Sequence, residues 1–284
     1  MKVSVLMCFF NDEKYLRASV KSIINQTYNN FELVLVDDCS TDSSKKTIDD
    51  LIKYEKNIKY FKNNKNYGLT KSLNIGLKLC NGDIIVRSDS DDFSNINRLE
   101  KLVKEFINNP NIDFVFSIVN HIDQNKNFIK KSIYFNEYFS FFLLKYFNVF
   151  THGSSAFRYN SEIKYDEEMI LSQDYSLWLK EIKKNNFTII NEPLYNLRLH
   201  ENSISNEKKI NQIYYAIYAQ IKYKYDLNYD FDFIKKNLVS DDLISKLFFV
   251  QILIRKDYEL FSLHKKNFNI FQKFIFYLVL LLRK

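Results

Sequence analysis

The chain has 284 residues, 46% of them hydrophobic and 26% charged, a composition that supports one large buried core and excludes wholesale disorder. Only 4 Gly and 2 Pro occur, which excludes collagen-like and linker-rich chains and argues against a many-turned all-β sandwich. The net charge is +7, and +5 of it sits in residues 251–284, so the rest of the chain is close to neutral.

The first 120 residues alternate between two hydrophobic periods. Val3–Phe9 is an apolar run of strand length. Asp12–Thr27 repeats Leu16, Val20, Ile23 and Ile24 at helical spacing, with Asn11 placed to cap it. Phe31–Val36 reads as strand, Thr41–Tyr54 as helix, Ile58–Phe61 as strand and Leu69–Leu79 as helix. Asp83–Arg87 is strand, Asn97–Ile107 helix and Ile112–Val119 strand. Strands that are apolar throughout are covered on both faces, so the expected fold class is α/β with a mostly parallel, doubly wound sheet. Ligands bind beyond the carboxyl ends of such strands, which directs attention to the residues after Val36 and after Ser88. From about residue 120 to Leu199 the pattern breaks into short mixed elements; Asn206–Tyr225 and Phe233–Lys284 read mostly as helix.

Cys8, Cys39 and Cys80 are too few and too scattered for a disulfide framework or a zinc site. They are read as reduced thiols, with a cytoplasmic location expected. Met1-Lys2 before an apolar run imitates a short signal peptide, but Asn11-Asp12-Glu13-Lys14 follows instead of a small-residue cleavage site, so a buried first strand is expected. Neither G-x-G-x-x-G nor a Walker A sequence follows the first strand. A bound diphosphate therefore needs another neutralising group, and a cation held by carboxylates supplies one.

Two acidic clusters occupy the ligand edge: Asp37-Asp38 with Ser40, Thr41 and Asp42, and Asp89-Ser90-Asp91-Asp92. Two carboxylates one residue apart on an extended segment point the same way and can share a divalent ion. A second Asp-x-Asp, Asp230-Phe231-Asp232, falls in the helical tail and reads as a surface pair.

Five segments, in order, resemble the opening of family 2 glycosyltransferases: Val3–Met7, Ser22–Tyr28, Phe31–Asp42, Asn66–Asn74, and Asn81–Asp92 followed by Arg98-Leu99. The resemblance implies the GT-A fold and transfer of a sugar from a nucleotide-sugar with inversion at the anomeric carbon. It implies that Asp38 holds the base or ribose end of the nucleotide, that Phe10 lies against the base, and that Asp89 and Asp91 form the metal-binding element, with Asp91 the direct ligand of Mn2+ or Mg2+. Cys39 stands where Gly or Asn is commoner. Farther on, Leu171–Leu179 resembles the family's Glu-Asp element, with Gln173 in place of Glu and Asp174 retained as the expected catalytic base; the alternative is that Asp174 caps the following helix. Leu177 and Trp178 are expected on that helix's buried side. Thr151–Ser155 with His152, then Arg158, resembles a segment lining the acceptor half. Arg198-Leu199-His200 resembles a closing loop, which makes Arg198 and His200 candidates to meet the leaving diphosphate. Lys71 and Arg87 read equally as phosphate partners or as ion pairs.

The expected organisation is a GT-A catalytic domain over residues 1–222, divided into a nucleotide-binding half (1–120) and an acceptor-binding half (121–222), with a helical, basic and aromatic extension over 223–284. The expected function is transfer from a nucleotide-diphosphate sugar, a UDP-sugar by preference, to a glycan or lipid-linked acceptor in surface polysaccharide synthesis at the inner face of the cytoplasmic membrane. An oligomer is compatible with the sequence; a nucleic-acid partner is not expected, because the basic groups are not spread over a folded face. Phe274–Leu282 is too short to span a bilayer, but Lys265, Lys266, Lys273, Arg283 and Lys284 around it suit peripheral contact with anionic lipid. A second reading is a non-catalytic nucleotide-sugar-binding or scaffolding protein; loss of Asp91 or Asp174 would have favoured it. A third, a nucleotidyltransferase, calls for a Gly-rich phosphate loop that the first strand lacks.

Overall fold

The structure is a computed structural model, and it describes residues 1–132, 134–200, 209–237, 241–255 and 272. Its centre is β1 (Val3–Phe9), buried at every position. β1 pairs in parallel with β2 (Phe31–Asp37) on one side and with β4 (Ile84–Arg87) on the other, and β2 pairs in parallel with β3 (Ile58–Lys62). Side chains alternate across a strand, so β1 feeds two cores. Val3, Val5, Met7 and Phe9 pack with α1 (Glu13–Ile24), α2 (Ser44–Ile52) and α4 (Arg98–Asn108). Leu6 and Cys8 join the opposite core with Leu73 and Leu77 of α3 (Leu69–Leu79). The doubly wound arrangement expected from the continuous apolar runs is present.

The chain continues through β5 (Phe93–Ser94), β6 (Phe114–Ile122), β7 (Phe128–Lys131), α5 (Glu137–Leu144), a single 3₁₀ turn (His152–Ser154), β8 (Ala156–Arg158), α6 (Gln173–Glu181) and β9 (Phe187–Arg198). Helices α7 (Lys209–Tyr223), α8 (Phe231–Lys236) and α9 (Asp242–Arg255) follow. The sheet runs β3-β2-β1-β4-β8-β6-β9-β5, with β7 added to β6. Two features depart from the sequence reading. A strand the sequence reading did not contain, β8, is wedged between β4 and β6, antiparallel to both. And the stretch read as short mixed elements holds β9, a twelve-residue strand parallel to β6 along its length, with register shifts beside Ser117 and Ile118.

The third layer is the helices of the second half. Leu177 and Trp178 of α6 are buried as expected, and Trp178 lies edge-on to Phe114 and Phe116 of β6. Ile213, Ile217 and Ile221 of α7, Ile234 of α8, and Leu247, Phe248 and Ile252 of α9 complete the same core. The second Asp-x-Asp has a local explanation: Asp230 caps α8 by accepting from the Phe233 N–H at 2.6 Å. The cap expected of Asn11 is not made. Asp12 is the N-cap residue of α1, while Asn11 adopts a left-handed φ of 55° and accepts instead from the Thr41 N–H at 2.8 Å. Among the described residues no helix is long and apolar enough to cross a membrane. The apolar run Phe274–Leu282 and its flanking lysines lie outside the described residues.

Candidate active site

The carboxyl ends of β1, β2 and β4 meet at one edge, and both acidic clusters open there. Asp37 closes β2 with no exposure; it accepts from the Ser40 N–H at 2.7 Å and the Tyr60 hydroxyl at 2.8 Å. Asp38 is buried and clamps the loop before α3: one oxygen accepts from Asn63 at 2.7 Å and the Tyr67 N–H at 2.8 Å, the other from the Gly68 N–H at 2.8 Å. Gly68 sits at φ 85°, a conformation that disfavours any side chain and lets its N–H face the carboxylate. Cys39, next in line, has φ 68°. That left-handed turn explains physically why Gly or Asn is easier there. Phe10, just past β1, presents its ring to solvent at 45% exposure.

The Asp89–Asp92 segment follows β4 and is held from three sides. Arg87, fully buried, donates to Asp89 Oδ1 at 2.6 Å, to the Leu6 and Ser88 carbonyls, and through Nε to His152 Nε2 at 3.2 Å. Of the two roles open to Arg87 in the sequence, the structure displays the ion pair. The Asp89 N–H donates to the Tyr195 hydroxyl at 2.9 Å. Asp92 Oδ1 accepts from the Arg198 N–H at 2.7 Å, and Ser90 donates to Asp12. Asp91 Oδ2 lies 2.8 Å from His200 Nε2. Arg198 is buried; it donates to the Asp91 carbonyl and the Gln124 carbonyl, both at 2.8 Å, and its guanidinium lies 4.6 Å from the centre of the Tyr15 ring. The pair Arg198 and His200 thus reaches the Asp89–Asp92 loop from the end of β9.

Four carboxyls crowd this loop and perturb one another. Burial pushes Asp89 above its ordinary value; Arg87 opposes the rise and the Asp91 charge adds to it. Burial, then the charges of Asp91 and Asp89, push Asp92 well up. Burial raises Asp12 to about 6 against its Ser90 hydrogen bond, with Asp91 contributing. A divalent cation relieves this like-charge crowding, and a carboxylate donor set suits hard Mg2+ or Mn2+. Among the described residues no three His, Cys, Asp or Glu side chains stand together to enclose an ion unaided. The residues fit a cation held by one or two carboxylates and completed by phosphate oxygens.

Beneath the loop lies a buried polar layer. The Tyr165 hydroxyl lies 2.8 Å from His152 Nε2, the nitrogen that Arg87 also addresses. Burial and then Arg87 hold the His152 pKa well below its usual value, so the ring is neutral and Nε2 accepts from both. Tyr165 is anchored in turn, its N–H and carbonyl both bonded to the Asn74 amide of α3. Arg98, also fully buried, lies 4.6 Å from the centre of the Tyr195 ring and donates to the carbonyls of Arg87 and Gly153.

Asp174 stands in the first turn of α6, two residues past the N-cap residue Ser172. Asn148 donates to its Oδ2 at 2.7 Å. Burial raises the Asp174 carboxyl, the first-turn N–H of Tyr175 and Asn148 lower it, and the Asp89 charge raises it again. Lys71 lies apart from the Asp89–Asp92 loop, half exposed, 3.5 Å from Glu167. Asp12, Asn148, Tyr165 and Tyr195 were not singled out from the sequence. Only Asp12 had a local signal, its place directly after β1; the others reach the site through long-range packing.

The acidic clusters thus stand beyond the carboxyl ends of the parallel strands, where α/β sheets bind their ligands. The family model for glycosyl transferase family 2 matches residues 4–166, and the chain belongs to that family. It is similar to a UDP-Gal:alpha-D-GlcNAc-diphosphoundecaprenol beta-1,3-galactosyltransferase of Escherichia coli, 31% identical over 236 residues that cover 79% of this chain and 82% of that protein. Among solved structures it resembles S. aureus TarS 1-349 in complex with UDP-GlcNAc, with a TM-score of 0.66 and 19% identity over 98% of this chain and 79% of that one. It also resembles the mannosyltransferase PcManGT of Pyrobaculum calidifontis in complex with GDP-Man and Mn2+, with a TM-score of 0.60 and 13% identity over 96% and 84% of the two chains. The fold is of the GT-A type.

Proposed function

We propose that this glycosyltransferase inverts the anomeric centre, takes a UDP-sugar as donor and passes the sugar to a lipid-linked glycan acceptor in surface polysaccharide synthesis. The observation that carries the reading is the Asp89–Asp91 segment at the carboxyl end of β4, held there by Arg87, Tyr195 and His200; Asp174, in the first turn of α6 and bonded to Asn148, supplies a carboxyl on the second half of the chain. The E. coli relative named for a UDP-sugar donor and a diphosphoundecaprenol acceptor supports the substrate classes.

In this reading residues 1–120 bind the donor and residues 121–222 the acceptor. Phe10 offers an exposed ring to the base, and Asp38 organises the loop against which the nucleoside lies. Asp91, with Asp89 beside it, would hold Mn2+ or Mg2+, which would offset the diphosphate charge. His200, bonded to Asp91, and Arg198 beneath it fix the loop's approach to the diphosphate, and Lys71 flanks the donor side. Asp174 takes the proton from the acceptor hydroxyl as that oxygen forms its bond to C1. The bond from C1 to the diphosphate oxygen breaks in the same displacement, so the configuration inverts and the nucleoside diphosphate leaves with the electron pair. A carboxyl raised by burial is a better base near neutral pH than an exposed one, and such assistance contributes about 10²–10⁴ in rate.

Titration calorimetry with UDP in the presence and absence of Mn2+ tests the donor half. The parent chain is expected to bind UDP more tightly with Mn2+, and Asp91→Ala to lose that gain because one carboxylate fewer leaves the ion under-coordinated. Unchanged Mn2+-dependent affinity in the variant would overturn the assignment.

A further inference from the structure

Helix α5 lies beside the start of α6, where the Tyr175 hydroxyl donates to the Leu144 carbonyl at 2.8 Å, and turns a strip of aromatic rings outward. Ser140 and Leu144 are buried on its inner side, whereas Phe135, Tyr138, Phe139 and Phe142 are 52%, 67%, 40% and 47% exposed. The rings touch in sequence: Phe135 meets Phe139 edge-on at 4.9 Å, Phe139 stacks on Phe142 at 6.1 Å, and Phe142 meets Tyr146 at 5.4 Å. Phe139 and Phe142, three residues apart, share one face of α5, and Phe135 just before the helix and Tyr146 just after it extend the row. A single exposed aromatic side chain is ordinary; a contiguous row marks a surface that something covers.

Cations frame the row. Lys184 lies over Tyr138 at 5.0 Å, Lys145 over Phe141 at 5.3 Å and Lys224 over Tyr146 at 4.4 Å. Between residues 125 and 147 the chain carries Lys126, Lys130, Lys131 and Lys145 against one acid, Glu137. Glu137 is turned inward, accepting from the Thr188 hydroxyl at 3.0 Å and the Ile189 N–H at 3.3 Å. The segment is tied at both ends: the Tyr134 hydroxyl donates to Thr151 at 3.2 Å, next to the buried His152, and Asn148 donates to Asp174 at 2.7 Å.

We propose that the outer face of α5 docks the protein on an anionic bilayer surface, with its rings in the headgroup region and its lysines on lipid phosphates, which brings Asp174, bonded to Asn148 just past α5, near the membrane. Charge selects this occupant. A second copy of the chain would set the same lysines against each other, whereas an anionic bilayer supplies the opposite sign along with an apolar layer for the rings. Aromatic rings beside ammonium groups are the side chains that settle at such an interface. The use of this face in transfer rests on the lipid-linked acceptor of the proposed function; the docking itself does not.

Flotation of the full-length protein with vesicles tests the proposal, using phosphatidylcholine alone and phosphatidylcholine mixed with phosphatidylglycerol. The parent is expected to float with the anionic vesicles and to release at high salt, as screening weakens the lysine contribution. Phe139→Ser with Phe142→Ser, and separately Lys145→Glu with Lys184→Glu, are expected to lower the bound fraction constant by at least about tenfold while melting at the parental temperature. A parent that ignores anionic vesicles overturns the proposal. So does a Phe139→Ser, Phe142→Ser variant that floats like the parent, which would assign membrane contact to another segment. A variant that changes the sedimentation state of the protein and leaves vesicle binding intact overturns it in favour of self-association. Because flotation needs no donor or acceptor, docking with no transferase activity would count against the proposed function alone.

Discussion

Gly153→Ala probes the layer under the metal-element loop with the smallest possible change. A Cβ built on Gly153 would lie 2.5 Å from Tyr195 Cζ and 2.6 Å from Cε1, with the hydroxyl oxygen nearer still. The ring has no free side to move toward. It has no exposure, Arg98 packs on it at 4.6 Å, and its backbone is bound between β6 and β5, opposite Val119 and Ser94. Overpacking a rigid core typically costs about 1–3 kcal/mol, and the absence of slack places this site at the upper end, about 2–3 kcal/mol. For a chain of this size a loss of that order lowers Tm by roughly 4–6 °C, at about 2 °C per kcal/mol. The damage also reaches the donor site, because the Tyr195 hydroxyl that must shift accepts from the Asp89 N–H at 2.9 Å. Calorimetric melting with UDP titration reads both effects, and affinity in the presence of Mn2+ is expected to fall together with Tm. A variant that melts within a degree of the parent and binds UDP unchanged would refute the reasoning, since the Tyr195 ring would then have room that the packing denies it.

Two further predictions concern residues outside the reaction. His152 is neutral in the fold and its pKa lies well below the unfolded value near 6.5. Its contribution to stability is therefore complete above about pH 6.5 and declines as pH falls toward the folded value, by up to about 1.4 kcal/mol per pH unit. Urea unfolding between pH 7 and pH 5 is expected to show a shallower pH slope for His152→Gln than for the parent; equal slopes would mean that the imidazole is not held neutral. Asp230→Ala removes the cap of α8 and is expected to cost about 1 kcal/mol in the same assay with no change in UDP affinity. A loss of Mn2+-dependent binding in that variant would show that the second Asp-x-Asp is more than a cap.

The first half of the molecule was legible because its strands are buried on both faces and its helices on one, which writes unambiguous periods into Val3–Phe9 and Asp12–Thr27. The Asp89-Ser90-Asp91 and Asp37-Asp38 clusters were legible for a related reason, since strand termini locate a ligand edge before any contact is known. β9 escaped because Asn191, Glu192 and Pro193 interrupt its apolar pattern; the register shifts opposite them in β6 absorb the irregularity. β8 escaped because three residues carry no period. Tyr195, Tyr165 and Asn148 have no local signature at all. Each touches the site through partners 13 to 106 residues away, and its role appears only once β9, the 165–169 segment and the stretch after α5 are set against β4. The left-handed turns at Asn11 and Cys39 were hidden for the opposite reason: neither position carries the glycine that announces such a backbone.

In the proposed transfer Asp174 removes the acceptor proton while Asp89 and Asp91 build the donor side. The direct test is Asp174→Asn, assayed side by side for UDP affinity with Mn2+ and for transfer to a lipid-diphosphate acceptor once a donor and acceptor pair supports turnover by the parent. The amide keeps the shape and can still meet Asn148, but it cannot accept the proton. Donor affinity is expected to stay near that of the parent while kcat falls by about 10²-fold or more. Parental turnover in Asp174→Asn would contradict the account and move the base elsewhere.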